Sequence, residues 1–249
     1  MTHRVFTALL PLLAPLLAVS AAAGEPAPGE VVDTLRKKLE VPSAGLTVGT
    51  VEASEMPGMY AVQFKEGPLV YATADGEYFI VGDLFTVGPA GYVNLAEKRR
   101  DTQRTEQLEG LATADMIVFP AQDKRRTHIT VFTDVTCFYC QKLHREVPEL
   151  NKHGVEVRYV AYPRAGLGTE GYRKLATAWC AEDRPTTLTR LKSGEAVPES
   201  VCKDNPIASQ YELGKNMGVR GTPAIITSSG QMIPGYQSAE ELMRTLDLE

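Results

Sequence analysis

The 249-residue sequence has little of several features that would place a protein in a class at once. Basic charge is not in excess, because 31 acidic residues stand against 26 basic ones, for a formal net charge of -5. We therefore expect no nucleic-acid partner. Long apolar runs are equally scarce: there is one, at the start of the chain, which excludes a polytopic membrane protein. With 43% hydrophobic and 23% charged residues, the composition also excludes collagen, coiled-coil rods and wholesale disorder.

The one apolar run has the layout of a secretory signal. Thr2-His3-Arg4 supplies a basic start, the stretch 5–19 is apolar, and Ala21-Ala22-Ala23 provides a small-residue cleavage site. We expect residues 1–23 to be a cleaved signal peptide. A single-span anchor is the alternative, but two prolines interrupt the run, which is shorter than the roughly 20 apolar residues that span a bilayer.

The chain contains only four cysteines, and export would allow them to form stable disulfides. Cys137 and Cys140 form a tight C-x-x-C motif, whereas 21 residues separate Cys180 from Cys202. Three pairings are possible. The combination of 137–140 with 180–202 is the one that requires no long-range coincidence.

Residues 24–90 predict a small helix-plus-antiparallel-sheet domain. Val31, Leu35 and Leu39 have the spacing of one amphipathic helix. Four β-rich runs follow, at 46–51, 59–64, 69–73 and 78–81, and Asp75-Gly76 is a hairpin signal between the last two. A domain of this size buries little on its own, and oligomerisation often supplies the rest.

Residues 91–115 predict a helical linker. Within it, the segment 97–106 has seven charged residues in ten, almost no apolar stripe, and neither Gly nor Pro. A helix that is polar on every side is typical of a solvent-exposed connector, which would hold two domains apart. A surface helix that packs loosely on either domain is the alternative.

Residues 116–249 alternate between strand and helix patterns, which predicts an α/β domain. The runs 129–132 and 155–161 are β-branched, and the segments 140–150 and 170–181 have helical patterns. A hairpin at 224–233 then precedes a capping box that starts at Ser238. This succession is the one that an α/β redox domain requires.

The C-x-x-C motif lies where a strand runs into a helix. The first sulfur, on Cys137, is then close to the unpaired N–H groups and the positive end of the helix dipole, which stabilise a thiolate. We expect Cys137 to be exposed, to have a pKa between about 3.5 and 7.5, and to attack disulfides. Cys140, one turn further, would be the resolving thiol.

Two other interpretations of the motif remain open. One is a purely structural disulfide. The other is a metal site in which Cys137, Cys140 and His144 supply three ligands, but a fourth is missing because the sequence has no second C-x-x-C. Gln141, directly after the motif, excludes haem attachment of the C-x-x-C-H type. We therefore expect neither a metal nor a cofactor.

Several motifs together resemble the periplasmic disulfide isomerases of the DsbC/DsbG family. They are Thr133-Asp-Val-Thr-Cys137-Phe-Tyr-Cys140-Gln-Lys-Leu-His144, Arg158-Tyr-Val-Ala-Tyr-Pro-Arg164, Trp179-Cys180, Gly221-Thr-Pro-Ala224 and Pro234-Gly-Tyr236. The order of small N-terminal domain, helical linker and C-terminal redox domain matches this family as well. The resemblance therefore covers nearly all of the chain after residue 23.

The resemblance implies a thioredoxin-like domain with a helical insertion, and a homodimer joined through the N-terminal domains. It also implies a cis-proline at Pro223, a structural disulfide Cys180–Cys202, and an active-site wall. The wall consists of Phe138, Tyr139, Thr222 and Pro223. The implied partners are misoxidised or unfolded exported proteins and, as electron donor, a membrane thiol reductase of the DsbD type.

The sequence departs from the family at two positions. Phe138-Tyr139 stands where DsbC-like members usually carry Gly-Tyr and DsbG-like members Pro-Tyr, and this dipeptide contributes to the redox potential. Val131 stands six residues before Cys137, where thioredoxin-like proteins place a buried acid. The proton acceptor for Cys140 is therefore unassigned; Asp134 is nearer to the motif, but it can equally cap the helix.

The leading prediction is a periplasmic enzyme that isomerises and reduces non-native disulfides through the Cys137/Cys140 dithiol. A DsbG-like reductase of sulfenylated cysteines is the alternative within the same chemistry, with a net oxidase third. From a different class, the chain would act chiefly as a holdase chaperone.

Overall fold

The computed structural model describes residues 24–65, 67–89 and 91–248. The expected signal peptide, residues 1–23, lies outside these ranges. The described chain falls into two compact units that divide between Gly82 and Asp83. Within the described ranges, no helix is long and apolar enough to cross a membrane.

The first unit is one helix on a four-stranded antiparallel sheet. Its elements are α1 (Gly29–Leu39), β1 (Val48–Ala53), β2 (Met59–Phe64), β3 (Leu69–Thr73) and β4 (Phe79–Val81), with strand order β1-β2-β3-β4. The apolar stripe of α1 buries Val31 and Leu35 against the sheet, as its spacing predicted. Gly76, with φ +64°, closes the predicted hairpin between β3 and β4. The predicted strands are present, although the first begins two residues later than expected.

The second unit begins with a hairpin that the sequence analysis did not predict. It consists of β5 (Phe85–Gly88) and β6 (Gly91–Asn94), and its strands expose Phe85, Val87 and Tyr92. The helix α2 (Leu95–Glu109) follows directly. Asn94 begins this helix, because its side chain accepts a hydrogen bond from the backbone N–H of Glu97.

The expectation that α2 is exposed on every side is wrong at its centre. Arg104 is buried, and its guanidinium forms ion pairs with Glu97 and Asp101 of the same helix. It also donates a hydrogen bond to the carbonyl oxygen of Gly230. Gly230 has φ +86°, and a Cβ there would overlap the backbone carbonyl of Asp101. The helix therefore packs on the 227–230 turn of its own unit, and a charged side chain carries the contact in place of an apolar stripe.

The rest of the second unit is a five-stranded mixed sheet covered by helices. Its strands are β7 (Ile117–Phe119), β8 (Thr127–Thr133), β9 (Val155–Ala161), β10 (Ala224–Thr227) and β11 (Met232–Pro234), in the order β11-β10-β8-β9-β7. β8 and β9 are parallel, and the other neighbours are antiparallel. The helices are α3 (Phe138–Lys152), α4 (Glu170–Trp179), α5 (Arg184–Lys192), α6 (Ile207–Asn216) and α7 (Ala239–Thr245).

Alternation along β8 builds a core on each face of this sheet. Ile129 and Val131 point to the larger core, which contains Trp179, whereas Phe132 points to a smaller core on the opposite face. The predicted capping box at Ser238 begins α7. The order β8-α3-β9 followed by β10-β11-α7, with α4, α5 and α6 between β9 and β10, is the α/β arrangement with a helical insertion that was predicted.

Candidate active site

The central strand β8 delivers the C-x-x-C motif to one end of the sheet. After β8 ends at Thr133, a short loop leads to Cys137, which occupies the N-cap position of α3. The N-cap side chain makes no capping hydrogen bond, so the first N–H groups of the helix remain directed towards the sulfur region. The helix dipole therefore favours negative charge at Cys137.

Cys137 is less exposed than the sequence analysis expected. Only 2% of the residue is accessible to solvent, and its thiol donates a hydrogen bond of 3.2 Å to the carbonyl oxygen of Thr222. Hydrogen bonds from Cys140 and then from the Thr222 side chain, with the charge of Arg164, lower the pKa of Cys137 to about 5 despite burial. This value lies within the predicted range. At neutral pH this pKa favours the thiolate form of Cys137, which no longer has the proton that the thiol donates to the Thr222 carbonyl.

Cys140 lies in the first turn of α3 and is 1% exposed. Burial, together with its hydrogen bond to Cys137, raises the pKa of Cys140 well above its ordinary value. The two sulfurs thus have opposite tendencies. Cys137 carries the negative charge, and Cys140 keeps its proton and donates it towards that charge.

The predicted wall residues fall into two groups. The peptide bond between Thr222 and Pro223 is cis, as the resemblance implied, and the Thr222 carbonyl faces Cys137. The Thr222 hydroxyl is buried and has no hydrogen-bonding partner in the described ranges, so it is available to donate to the Cys137 sulfur when that sulfur is charged. Phe138 and Tyr139 are 64% and 56% exposed, and their rings contact each other edge to face at 5.4 Å. They are the two central residues of the motif and form an exposed, largely apolar surface next to Cys137.

Asp134 does not cap α3. Its carboxylate is buried, and Oδ1 accepts hydrogen bonds from the backbone and hydroxyl of Thr136, both at 2.8 Å. Oδ2 accepts a hydrogen bond of 2.9 Å from the backbone of Arg164, whose side chain also lies within 3.5 Å. Asp134 therefore holds the loop before Cys137 and ties it to the segment that carries Arg164.

Sequence reasoning missed a buried lysine near the motif. Lys192 ends α5, is 4% exposed, and donates a hydrogen bond of 2.7 Å to Oγ1 of Thr133. Burial lowers the pKa of Lys192 to about 8, although the neighbouring Cys140, Asp134 and Cys137 oppose this shift. The available signal was its position four residues after buried Leu188, on the inward face of α5.

His144 is part of the core of the domain. Its two ring nitrogens form hydrogen bonds with the hydroxyls of Tyr159 and Thr189, at 3.0 and 2.9 Å. Burial, and secondarily the charge of Lys192, lower the pKa of His144 to about 3, so the ring is neutral. The described ranges contain no group of three His, Cys, Asp or Glu side chains arranged to hold a metal ion.

Cys180 and Cys202 form a disulfide, with their Cα atoms 5.7 Å apart. Cys180 is the C-cap residue of α4 and Cys202 lies in the loop before α6, so the bridge closes the segment that contains α5. Lys192 is carried on this closed segment.

Comparisons with known proteins match both parts of the chain. Residues 19–97 match the disulfide bond isomerase protein N-terminal domain, and residues 112–248 match the thioredoxin-like domain. The thiol:disulfide interchange protein DsbC of Salmonella typhimurium is 39% identical over 82% of each chain. DsbC of Haemophilus influenzae is 32% identical over 98% of this chain and 97% of its own. A linker-deletion mutant of ScsC from Proteus mirabilis shares the fold, with 17% identity over 61% of this chain and 85% of its own, at a TM-score of 0.51.

A thioredoxin-like domain with a free C-x-x-C dithiol beside a cis-proline defines a thiol:disulfide oxidoreductase. Within this class, the match of the N-terminal domain and the sequence identity to DsbC proteins over most of the chain indicate one family. The chain belongs to the DsbC family of thiol:disulfide interchange proteins.

Proposed function

We propose that this protein isomerises non-native disulfides in exported proteins, with Cys137 as the nucleophile. The Cys137 thiolate attacks one sulfur of a client disulfide, forming a mixed disulfide and releasing the other client sulfur as a thiolate. The freed client thiolate exchanges with other disulfides of the client. A client thiolate finally attacks the client sulfur of the mixed disulfide, which forms the native bond and expels Cys137 as a thiolate. No net oxidation or reduction occurs in this cycle.

The single observation that carries the proposal is the position of Cys137 at the N-cap of α3, where Cys140 and Thr222 hold its pKa at about 5. A thiolate with a low pKa is a good leaving group as well as a nucleophile, and isomerisation requires both properties. The Phe138-Tyr139 surface supports binding of apolar, incompletely folded clients next to the nucleophile.

Cys140 has a separate role in this proposal. When a mixed disulfide does not rearrange, Cys140 loses its proton and attacks Cys137, forming the Cys137–Cys140 disulfide and releasing the reduced client. The protein then requires two electrons before it can act again. We infer a membrane thiol reductase of the DsbD type as the donor, and the periplasm as the compartment in which both the clients and this donor are found.

We also infer that the protein is a homodimer joined through its first unit. β4 is an edge strand of the four-stranded sheet, and its three residues, Phe79, Ile80 and Val81, are all more than half exposed. An apolar edge strand is a template for pairing with another chain. A second copy of this chain would cover the edge, and sedimentation of a variant with Ile80→Lys, compared with the parent, tests this pairing.

The function is tested with a multi-disulfide enzyme that has been oxidised in denaturant so that its disulfides are scrambled. Incubation with the pre-reduced protein should restore activity over many turnovers, and C137S should restore none. Retained turnover in C140S would separate isomerisation from net reduction. If the scrambled enzyme is not reactivated but a sulfenic-acid probe is reduced, a DsbG-like reductase replaces this proposal. If C137S suppresses client aggregation as well as the parent and neither protein catalyses exchange, a holdase replaces it.

A further inference from the structure

Lys192 presents a buried positive charge to the dithiol. The residue is 4% exposed, and its ammonium donates a hydrogen bond to the hydroxyl of Thr133, the last residue before the loop that leads to Cys137. The Nζ atom also lies 5.2 Å from the centre of the Tyr159 ring. Lys192 thus lies where the end of β8, the first turns of α3 and the inner face of α5 meet.

The groups that face Lys192 come from three elements besides α5. The loop before α3 contributes Asp134, and α3 contributes Cys137, Cys140 and neutral His144. β9 contributes Tyr159, whose burial raises its pKa well above its ordinary value, so it remains an uncharged phenol. Among the described residues, no carboxylate lies within 4 Å of the Lys192 ammonium.

A buried ammonium without an ion-pair partner is costly, and such a charge is retained where another anion compensates for it. Asp134 already satisfies both of its carboxylate oxygens through Thr136 and Arg164. Asp134 therefore acts on Lys192 through its charge at a distance, and the two sulfurs are the other anions that can compensate for the ammonium.

A different cation favours the thiolate form of each sulfur. Arg164 is the cation whose charge lowers the pKa of Cys137, whereas Lys192 lowers that of Cys140. In the resting dithiol, Cys140 holds its proton and Lys192 has no thiolate of Cys140 to pair with. Once Cys137 is engaged in an uncharged mixed disulfide, the negative charge must appear on Cys140 if the resolving step is to proceed.

We propose that Lys192 is a positioning residue that stabilises the Cys140 thiolate during resolution of the mixed disulfide. In this step the Cys140 sulfur attacks Cys137, the bond between Cys137 and the client breaks, and the client sulfur leaves with the electron pair. The Cys140 proton ends on the departing client thiolate, so atoms and charge balance. Val131 stands where thioredoxin-like proteins place a buried acid, so this chain has a nearby cation that stabilises the Cys140 thiolate and no carboxylate at that position to accept its proton. The inference rests on the proposed roles of Cys137 and Cys140.

The test uses the full chain and the aromatic disulfide 5,5′-dithiobis(2-nitrobenzoate), which releases a coloured thiolate. In stopped flow, a first release reports attack by Cys137 and a second release reports resolution by Cys140. The variants are K192M, which is unbranched and uncharged, and K192Q, which retains a donor for Thr133 while removing the charge. K203M, at an exposed lysine of the same unit, is the control for one lost positive charge.

We expect the second phase of K192M and K192Q to be about 3- to 30-fold slower than that of the parent at pH 7. A lost neighbouring cation raises a thiol pKa by roughly 1 to 3 units, and each unit slows attack by about threefold after the gain in intrinsic nucleophilicity. The first phase should change less. The difference should narrow above pH 8, where Lys192 in the parent loses its own proton. K203M should match the parent in both phases.

The proposal is overturned if the second phase of both variants stays within about twofold of the parent at pH 7. It is equally overturned if both phases slow together, or if the slowing persists unchanged up to pH 10, because either result indicates general structural damage. If K192M does not fold, K192Q alone decides. Failure of the proposed function would give a different result. The parent would then show no first phase, or a first phase that is still present in C137S.

Discussion

Nζ of Lys192 lies 2.7 Å from Oγ1 of Thr133, and both residues are almost completely buried. Thr133 is the last residue of the central strand, and Lys192 is the last residue of a helix that lies between α4 and α6. The hydrogen bond therefore joins the insertion of the thioredoxin-like domain to the strand end that carries the dithiol. Changes in the insertion are expected to reach the chemistry through this contact.

The buried charge of Lys192 should reduce the stability of the domain at neutral pH. Its ordinary pKa of 10.5 falls to about 8 in the fold, so the unfolded chain binds more protons between these values. Stability should therefore rise as the pH increases from 8 to 10.5. Below pH 8 the cost is fully present, at up to about 3 kcal/mol.

We accordingly expect K192M to be more stable than the parent at pH 7, and the gap to close towards pH 10. Urea unfolding followed by the fluorescence of Trp179, the single tryptophan, measures the relevant unit. K203M should unfold like the parent at every pH. A K192M variant that is less stable at pH 7, with the pH slope of the parent, would show that the ammonium carries no such cost.

The Thr222 side chain should contribute to the low pKa of Cys137. T222V removes the hydroxyl while leaving the backbone carbonyl, and the loss of a hydrogen bond to a charged sulfur should raise the Cys137 pKa by about 1 unit. The hydrogen bond from Cys140 is the largest single cause of the lowered pKa, so loss of the Cys140 thiol should raise the Cys137 pKa by more than loss of the Thr222 hydroxyl.

The pH dependence of alkylation by iodoacetamide gives this pKa directly. In the parent, the rate should rise through a midpoint near pH 5 and be nearly flat at pH 7. In T222V the midpoint should move upward, so the variant reacts more slowly than the parent at pH 5. An unchanged midpoint would remove Thr222 from the account of the thiolate.

The Cys180–Cys202 disulfide should stabilise the domain by about 3 kcal/mol, since it closes a loop of 22 residues in the unfolded chain. C180S/C202S should therefore unfold at lower urea concentration while the dithiol remains able to react. Because this loop carries Lys192, the double variant should also slow the second stopped-flow phase more than the first. A variant with full stability would indicate that the α4–α5–α6 segment holds itself together without the bridge.

The contact between α2 and the turn at Gly230 should be sensitive to a single methyl group. G230A places a Cβ on the Asp101 carbonyl, whereas G194A, at an equally positive φ of +84°, meets nothing within 4 Å. Both variants bear the strain of a positive φ, roughly 1 kcal/mol. Overpacking should cost G230A a further 1 to 3 kcal/mol, approximately. Equal losses in urea unfolding would show that α2 does not pack tightly against this turn.

The periodicity of the sequence was sufficient for most of the fold. The β-rich runs in the sequence coincide with four strands, β2, β3, β9 and β10. Each of these runs combines β-branched residues with flanking turn signals. The hairpin formed by β5 and β6 was missed because its strands contain no buried residues. Exposed Phe85, Val87 and Tyr92 therefore do not belong to the pattern of alternating buried and exposed residues that predicts a strand. The packing of α2 was missed because it depends on Arg104, and sequence patterns predict that a charged residue is exposed.

Part of the active site could likewise be predicted from the sequence, and part could not. The motif and its neighbours in sequence predicted Cys137, Cys140 and the cis-proline position, since local spacing determines them. Lys192 comes from 52 residues beyond Cys140. Its place beside the dithiol depends on how α5 packs against α3 and α4, which no local pattern encodes. The predicted exposure of Cys137 failed for a related reason, because the Thr222 carbonyl that covers it comes from a distant loop.

The central claim is that Cys137 forms a covalent bond with client disulfides, and trapping that bond is the most direct measurement. C140S should accumulate a mixed disulfide with the scrambled enzyme, and digestion without reductant followed by mass spectrometry should locate the bond at Cys137. In the parent, the same species should be transient. The account is contradicted if no adduct accumulates on C140S while the parent still reactivates the scrambled enzyme, or if the adduct maps to Cys180 or Cys202.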